Sequence, residues 1–223
     1  MAVQEYSIEM EIAGNTAMWT RPDTGDSPVS YPAPTYSAAK AIFESVLWGP
    51  AVEIIPTHVG LCRPVQYHMY YTNYNGPLRS SADINKGTPY QLRATVLIDV
   101  CYKLFAKVIP YPHKCELPAR AQEWDQKTTS PGHAYQSIFY RRLQRGQVFA
   151  TPVLGWREFT PSYFGKARDD TAIITTMPTI EIPSMLRQVF SQGYRSSVSY
   201  VYDTNLKIEH GVLHYPLREA RHD

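Results

Sequence analysis

The chain has 223 residues, 43% hydrophobic and 19% charged, with a formal net charge of +2. Those proportions belong to an ordinary globular protein, and the length allows one large domain or two small ones sharing a core. So small a charge excess does not mark a nucleic-acid binder by composition alone. The three cysteines, Cys62, Cys101 and Cys115, are odd in number and show no metal-ligand spacing. They argue against a disulfide scaffold or a zinc site, and for a reducing cytoplasm. Glu5, Glu9 and Glu11 stand where a signal peptide needs an apolar core. No apolar run approaches the roughly 20 residues of a membrane span. A cytoplasmic protein without metal or other cofactor is expected. The departures from average are 17 Tyr, 18 Pro and seven His beside only seven Phe. Tyr offers a stacking face with a hydroxyl at its edge, which suits strands and binding surfaces alike.

Residues 6–12 alternate, with Tyr6, Ile8, Met10 and Ile12 on one face and Ser7, Glu9 and Glu11 on the other. This pattern predicts a half-buried strand. A Pro-rich loop follows, TRPDTGDSPVSYPAP, and then a helix capped by Thr35 or Ser37. Its residues Ala39, Ile42, Phe43, Val46 and Leu47 share one helical face, and Gly49-Pro50 stops it. A second strand starts at VEII, 52–55, followed by the Tyr-rich and irregular QYHMYYTNYNGPLRSS. In QLRATVLIDVCYKLFAKVI, 91–109, Leu92 to Val108 share one parity, and Arg93, Thr95, Asp99, Lys103 and Lys107 take the other. That predicts one long strand, or two meeting at a bend.

A polar stretch leads to SPGHAYQSIFYRRLQRG, 130–146, read as a helix ended by Gly146. With VLGWREF, 153–159, as a further strand, the order is βαββαβ, the ferredoxin-like plan shared with RNA-recognition modules. The fold class expected is α+β. Beyond Gly165, TAIITTMPTIEI reads as strand-like, PSMLRQVFSQG as a short helix, and SSVSYVYD with LKIEHGVLHYP as two strands joined at Asp203-Thr204-Asn205. The expected division is 1–165, a ferredoxin-like domain, and 166–223, a small antiparallel β subdomain.

Two segments in order, GNTAMWTRPDTGDSPVSYPAPTYSAAKAIFESVLWGP and GQVFATPVLGWREF, give the chain a likeness that runs along nearly its whole length. It resembles the Cas-five family of CRISPR-associated proteins, in its type I-C branch, whose members carry the ferredoxin-like, RAMP-type domain and a small C-terminal β subdomain. The resemblance implies an endoribonuclease that cuts the repeat hairpin of precursor CRISPR RNA without a metal. A 2′-hydroxyl attacks the adjacent phosphate, leaving a 2′,3′-cyclic phosphate and a 5′-hydroxyl. It further implies retention on the 5′ handle within a Cascade complex, with the backbone and large subunits as partners. Non-specific DNA binding is an accompanying possibility, because phosphate contacts are blind to sequence.

That chemistry requires a base, an acid and a cation. Family members place a Tyr before the Trp at the end of the first helix and a Lys-His pair at the start of the second. Here those positions hold Leu47 and Ala134-Tyr135, with His133 one residue before. Two readings follow: a rebuilt site with His133 and Tyr135 as catalytic groups, or a subunit that binds the handle and does not cut. A generic RNA-recognition-like module is a third. Arg141, Arg142 and Arg145 are candidate phosphate contacts, although cations at a helix C-terminus also answer the dipole. Tyr67, His68, Tyr71 and Arg79 are candidates for stacking and backbone contact in the Tyr-rich stretch. Arg21 and Lys40 flank the Pro/Tyr loop as further backbone contacts.

Overall fold

A computed structural model describes residues 5–73, 80–87, 91–111, 117–190 and 197–217. Arg79 and Cys115 lie outside the described residues. Strand β1 spans Tyr6–Ala17, α1 Tyr36–Val46, β2 Val52–Leu61, β3 Tyr67–Asn73 and α2 Ser81–Asn85. Next come β4 at Gln91–Pro110, α3 at Ala119–Lys127, α4 at Pro131–Gln144 and β5 at Tyr163–Gly165. The chain continues with β6 at Ile180–Phe190, β7 at Val198–Glu209 and β8 at Val212–His214.

The sheet runs β5-β1-β4-β2-β8-β7-β6, with β3 added on β4, and every strand pairing is antiparallel. The run β5-β1-β4-β2 is the ferredoxin-like order. Strand β4 is its spine. Along one edge it pairs with β1, from Leu97 to Val108. On the other edge β3 occupies Gln91 to Leu97 and β2 occupies Tyr102 to Pro110. The two partners change over at Asp99, whose φ of 49° breaks the extended backbone. The expected bend is therefore real, inside one continuous strand. Ala94, Val96, Val100, Tyr102, Leu104, Ala106 and Val108 are buried on the expected face.

Helices α1 and α4 cover that face. Thr35 is the cap: its Oγ1 accepts from the Ala38 N–H at 3.2 Å. Ala39, Ile42, Phe43 and Val46 from α1 meet Tyr135, Phe139 and Leu143 from α4 in the core, with Phe43 and Phe139 ring centres 5.9 Å apart. Burial of Ile42, Phe43, Val46, Phe139 and Leu143 stabilises the fold by about 1.5–3 kcal/mol each relative to exposure.

Several expectations are corrected. YHMYYTN, 67–73, is a strand, β3, because Tyr and Thr pair well on a pleated surface. The polar stretch before Ser130 contains α3, which buries none of its residues and so leaves no periodic signal. Residues 153–159 are turns. Met18 N–H donates to the Leu154 carbonyl at 2.8 Å, and a Cβ on Gly155, φ 94°, would lie 1.8 Å from the Met18 carbonyl oxygen. This approach excludes a strand, and β5 pairs with β1 instead, at Glu11–Ala13. Of 171–182 only the end, from Ile180, is strand, and 183–190 continue it as β6. Register shifts between Leu186 and Gln188, and between Gln188 and Phe190, give its apolar residues a helix-like spacing. Strand β7 continues through Asp203–Asn205 with its pairing to β6 kept on both sides of Asn205, whose φ of 56° breaks the extended backbone locally. The turn comes at His210-Gly211, both at positive φ, 50° and 75°, which is the type I′ signature. Strand β8 then pairs with β2 through His58↔His214, Val59↔Leu213 and Gly60↔Val212, so the C-terminal strands extend the same sheet.

Among the described residues, no helix is long and apolar enough to cross a membrane. The sheet face opposite the helices carries one buried carboxylate, Glu11, that the alternation pattern had placed in solvent. The segment after β5 covers it. Arg168 donates to it from its backbone N–H at 2.8 Å and from Nε at 2.7 Å, and the Thr171 hydroxyl from 3.3 Å. Burial pushes the Glu11 carboxyl up, but the Arg168 hydrogen bonds and charge outweigh it and hold the group below the usual glutamate value. A depressed folded pKa contributes stability above the unfolded value, and that stability is lost as pH falls through the folded one. The urea midpoint of the wild type is expected to fall below about pH 4.3, and Glu11→Gln should be less stable near neutrality with a flatter acid limb. Equal slopes in both proteins between pH 3 and 7 would contradict this account.

Candidate functional site

Strand β5 covers β1 only at Glu11–Ala13, so the first half of that edge is open, and α4 closes it with side chains. Gln136 Nε2 donates to the Ser7 carbonyl at 2.6 Å, and the Tyr140 hydroxyl accepts from the Glu9 N–H at 3.1 Å. At the helix start, Gly132 lies against the Tyr6 ring, where a Cβ would come within 2.6 Å of ring carbon. A side chain at 132 would force the Tyr6 ring to shift. Ser130, the N-cap, turns its hydroxyl to Tyr6 Oη at 2.7 Å and makes no side-chain cap. The first turn of this 14-residue helix therefore keeps uncapped N–H groups, which favour an anion.

On this turn His133 is exposed, its ring 5.8 Å from that of Tyr6. Tyr135, two residues on, is about 200° around the helix and faces the core. It is 3% exposed, stacks on Phe139, and donates its hydroxyl hydrogen to the Leu47 carbonyl at the end of α1. Burial pushes its phenol well above the ordinary value. His133 and Tyr135 thus point to different sides of α4. Arg141, Arg142 and Arg145 stand at the other end of the helix, about 12–18 Å along its axis from His133. Arg141 and Arg145 are exposed, and Arg142 is half-buried.

A second cluster forms on β3. Tyr67, Met69 and Tyr71 share one parity and are 48%, 47% and 53% exposed. The Arg93 guanidinium lies 5.6 Å from the centre of the Tyr71 ring, on its register partner. Burial raises the Tyr67 phenol while the nearby Arg21 charge opposes the shift. Arg21 itself is clamped by Asp23 through Nε at 3.1 Å and Nη2 at 2.7 Å, 5.8 Å from the Tyr31 ring. Tyr70, of the opposite parity, packs on Phe159 at 5.4 Å, and His68 is exposed. Lys40 is 3.8 Å from Glu53 on β2. The structure therefore brings Arg21 and Tyr67 together and leaves Lys40 apart, in its own ion pair.

Sequence reasoning missed Arg93 and Met69, whose exposure depends on β3 being a strand. It also missed Trp48 and Phe149, 52% and 64% exposed, with ring centres 6.2 Å apart beyond the end of α1. The signal for Trp48 was an aromatic residue placed after the helix cap with no apolar face left to join. Among the described residues, no three His, Cys, Asp or Glu side chains gather as a metal-ion cluster.

The family model described as CRISPR-associated protein (Cas_Cas5) matches residues 7–187. A relative named CRISPR pre-crRNA endoribonuclease Cas5d, from Thermus thermophilus, is 29% identical over 158 residues, 70% of this chain and 62% of that protein. The chain thus spans less than two thirds of that relative's length. A second relative of the same name, from Mannheimia succiniciproducens, is 28% identical over 178 residues, 73% of each chain. A crystal structure of a CRISPR-associated protein superposes with a TM-score of 0.71 at 16% identity, covering 97% of this chain and 95% of that one. This likeness shows a shared fold.

The Tyr135 hydroxyl is a structural group in this geometry. Tyr135→Phe should cost about 0.5–1.5 kcal/mol in urea unfolding, the value of a lost hydrogen bond. Tyr71→Phe, at an exposed position, should lie within about 0.5 kcal/mol of wild type.

Proposed function

The chain belongs to the CRISPR-associated Cas5 family, and from that premise we propose that it is a CRISPR RNA-processing subunit that binds the repeat hairpin and cuts it. The observation that carries the reading is the exposed His133 imidazole on the uncapped first turn of α4. An anion is favoured there, and an imidazole, a side chain that can give or take a proton, stands beside it. In the proposed reaction a 2′-hydroxyl oxygen attacks the adjacent phosphorus as its proton leaves. The bond to the 5′-oxygen then breaks, and that oxygen gains a proton. The products are a 2′,3′-cyclic phosphate and a 5′-hydroxyl. His133 serves as the acid or base. Tyr135 acts from the core as a positioning residue, tying α4 to the end of α1. No metal takes part in this scheme.

The RNA strand is held elsewhere on the same subunit. Tyr67 and Tyr71 offer exposed rings for unpaired bases, each worth about 1–3 kcal/mol. Arg93 and Arg21 sit beside them as cations, and His68 and Arg79 belong to the same stretch. Arg141, Arg142 and Arg145 make backbone contacts one helix-length away from the cut, in the retained 5′ handle. Lys40 serves as a further contact when RNA displaces Glu53. The partners are the Cascade backbone and large subunits. The names of the two Cas5d relatives support the cutting of a precursor CRISPR RNA.

A second reading, a handle-binding subunit that does not cut, is favoured by one observation. The hydroxyl of Tyr135 is buried and committed to the Leu47 carbonyl, so it does not serve as a partner acid for His133. Single-turnover assays in EDTA, with protein in excess over the repeat hairpin, separate the two. The expected result is cleavage of the hairpin and none of the same RNA carrying a 2′-deoxy at the cut. His133→Ala should lose at least about 100-fold in rate with affinity unchanged. Tight binding without cleavage would establish the second reading. In either case the double variant Tyr67→Ala, Tyr71→Ala should weaken binding by about 2–6 kcal/mol; undiminished affinity would remove β3 from the RNA surface.

A further inference from the structure

The sheet face that carries Glu11 also holds two thiols. Cys62 directly follows β2 and extends its ladder by one step. Its N–H donates to the Cys101 carbonyl of β4 at 2.8 Å, next to the Leu61↔Tyr102 pair. Both side chains are buried, and neither is in a disulfide. Hydrogen-bonded antiparallel partners have α-carbons about 5.5 Å apart, within the roughly 4.4–6.8 Å that disulfides span. Residues opposed in this way project to one face of the sheet. The sulfurs share that face: the two thiols are in hydrogen-bond contact, and Cys101 Sγ lies 3.5 Å from Glu11 Oε1.

The two sulfurs are not equivalent. The hydrogen bond from Cys101, joined by the Lys103 charge and opposed by burial, lowers the Cys62 thiol. The same bond, together with burial, raises the Cys101 thiol. Cys62 is therefore the nucleophile of the pair and Cys101 the resolving thiol. A small oxidant has a way in, because both cysteines line a polar cleft of about 600 Å³ with Arg63, Asp99 and Arg168. Directly opposed β-carbons stand about 4.5–5.5 Å apart, and a disulfide needs about 3.5–4.5 Å. Closing the bond therefore draws the strands together, and a bond under such tension is readily reduced.

We propose that Cys62 and Cys101 form an oxidation site, at which a peroxide joins them in a reversible disulfide between β2 and β4. The Cys62 sulfur attacks one peroxide oxygen and the O–O bond breaks, giving a sulfenic acid and, from hydrogen peroxide, one water. The Cys101 sulfur then attacks the Cys62 sulfur. The S–O bond breaks, and its hydroxyl leaves with the Cys101 proton as a second water. Two thiols are oxidised and one peroxide is reduced. The site does not depend on the RNA reading above.

The test treats the folded full chain with one equivalent of hydrogen peroxide. Remaining thiols are blocked with iodoacetamide, and tryptic peptides are mapped by mass spectrometry. Two of the three cysteines should appear as one linked Cys62–Cys101 peptide, which dithiothreitol separates. Cys115→Ser should form the same link. In Cys101→Ser, Cys62 should stop at the sulfenic acid and be captured by dimedone. In the chain unfolded in urea, the shorter loop of a Cys101–Cys115 link should dominate instead. A folded wild type in which Cys62 and Cys101 survive the peroxide, or pair with Cys115, would overturn the proposal.

Discussion

Strand β4 is the constraint on which the rest of the molecule depends. Twenty residues long, it pairs with β1 along one edge and with β3 and then β2 along the other. Unbroken, a strand of that length would twist its ends far apart. The positive φ at Asp99 bends it where β3 gives way to β2. One half of β4 therefore carries the Tyr-rich strand outward while the other half floors the helix-covered core. The exposed rings of Tyr67 and Tyr71 and the buried ring of Phe43 are two outcomes of the same bend.

The second consequence concerns α4. Because β5 is only three residues long, an edge of β1 is left with unpaired backbone groups, which a protein must satisfy or cover. Gln136 and Tyr140 satisfy them, and Gly132 lets the helix start close against Tyr6. These contacts fix the rotation of α4. The same rotation presents His133 to solvent and turns Tyr135 into the core, so two residues with only Ala134 between them take separate roles. The proposed chemistry then depends on His133 and on what the helix N-terminus attracts.

Much of the fold was legible where burial and period agree. Alternation from Tyr6 to Ile12 and from Leu92 to Val108, and the α1 face from Ala39 to Val46, each report one buried side of a regular element. The failures share a cause in long-range contact. No local signal tells that Met18 donates to the Leu154 carbonyl, and that bond turns LGWREF from strand into turns. In β6, register shifts space Met185, Leu186, Val189 and Phe190 like a helix. Glu11 looked solvated because its partner, Arg168, lies 157 residues away. For the site, the exposure of His133 followed from its place after Pro131-Gly132. The inward turn of Tyr135 was legible only in part, from its apolar neighbours Ile138, Phe139 and Leu143, because its hydroxyl partner is a backbone carbonyl on another helix.

A chain with a net charge of +2 is poorly equipped to hold a polyanion by its overall field. Several of its cations are also answered within the fold: Arg21 by Asp23, Lys40 by Glu53, Lys107 by Glu5, Arg168 by Glu11. A surface built this way gains little from counterion release. The proposed RNA contacts must then rely on ring faces and on a few placed guanidinium groups. Stacking is tolerant of sequence, so the proposed contacts of Tyr67 and Tyr71 would supply affinity without selecting a repeat. Selection would have to come from the shape of the hairpin against a rigid frame. The frame available is β4 with α4 locked to β1. It holds the tyrosines, His133 and the arginines of α4 at fixed separations, as a shape-reading surface requires.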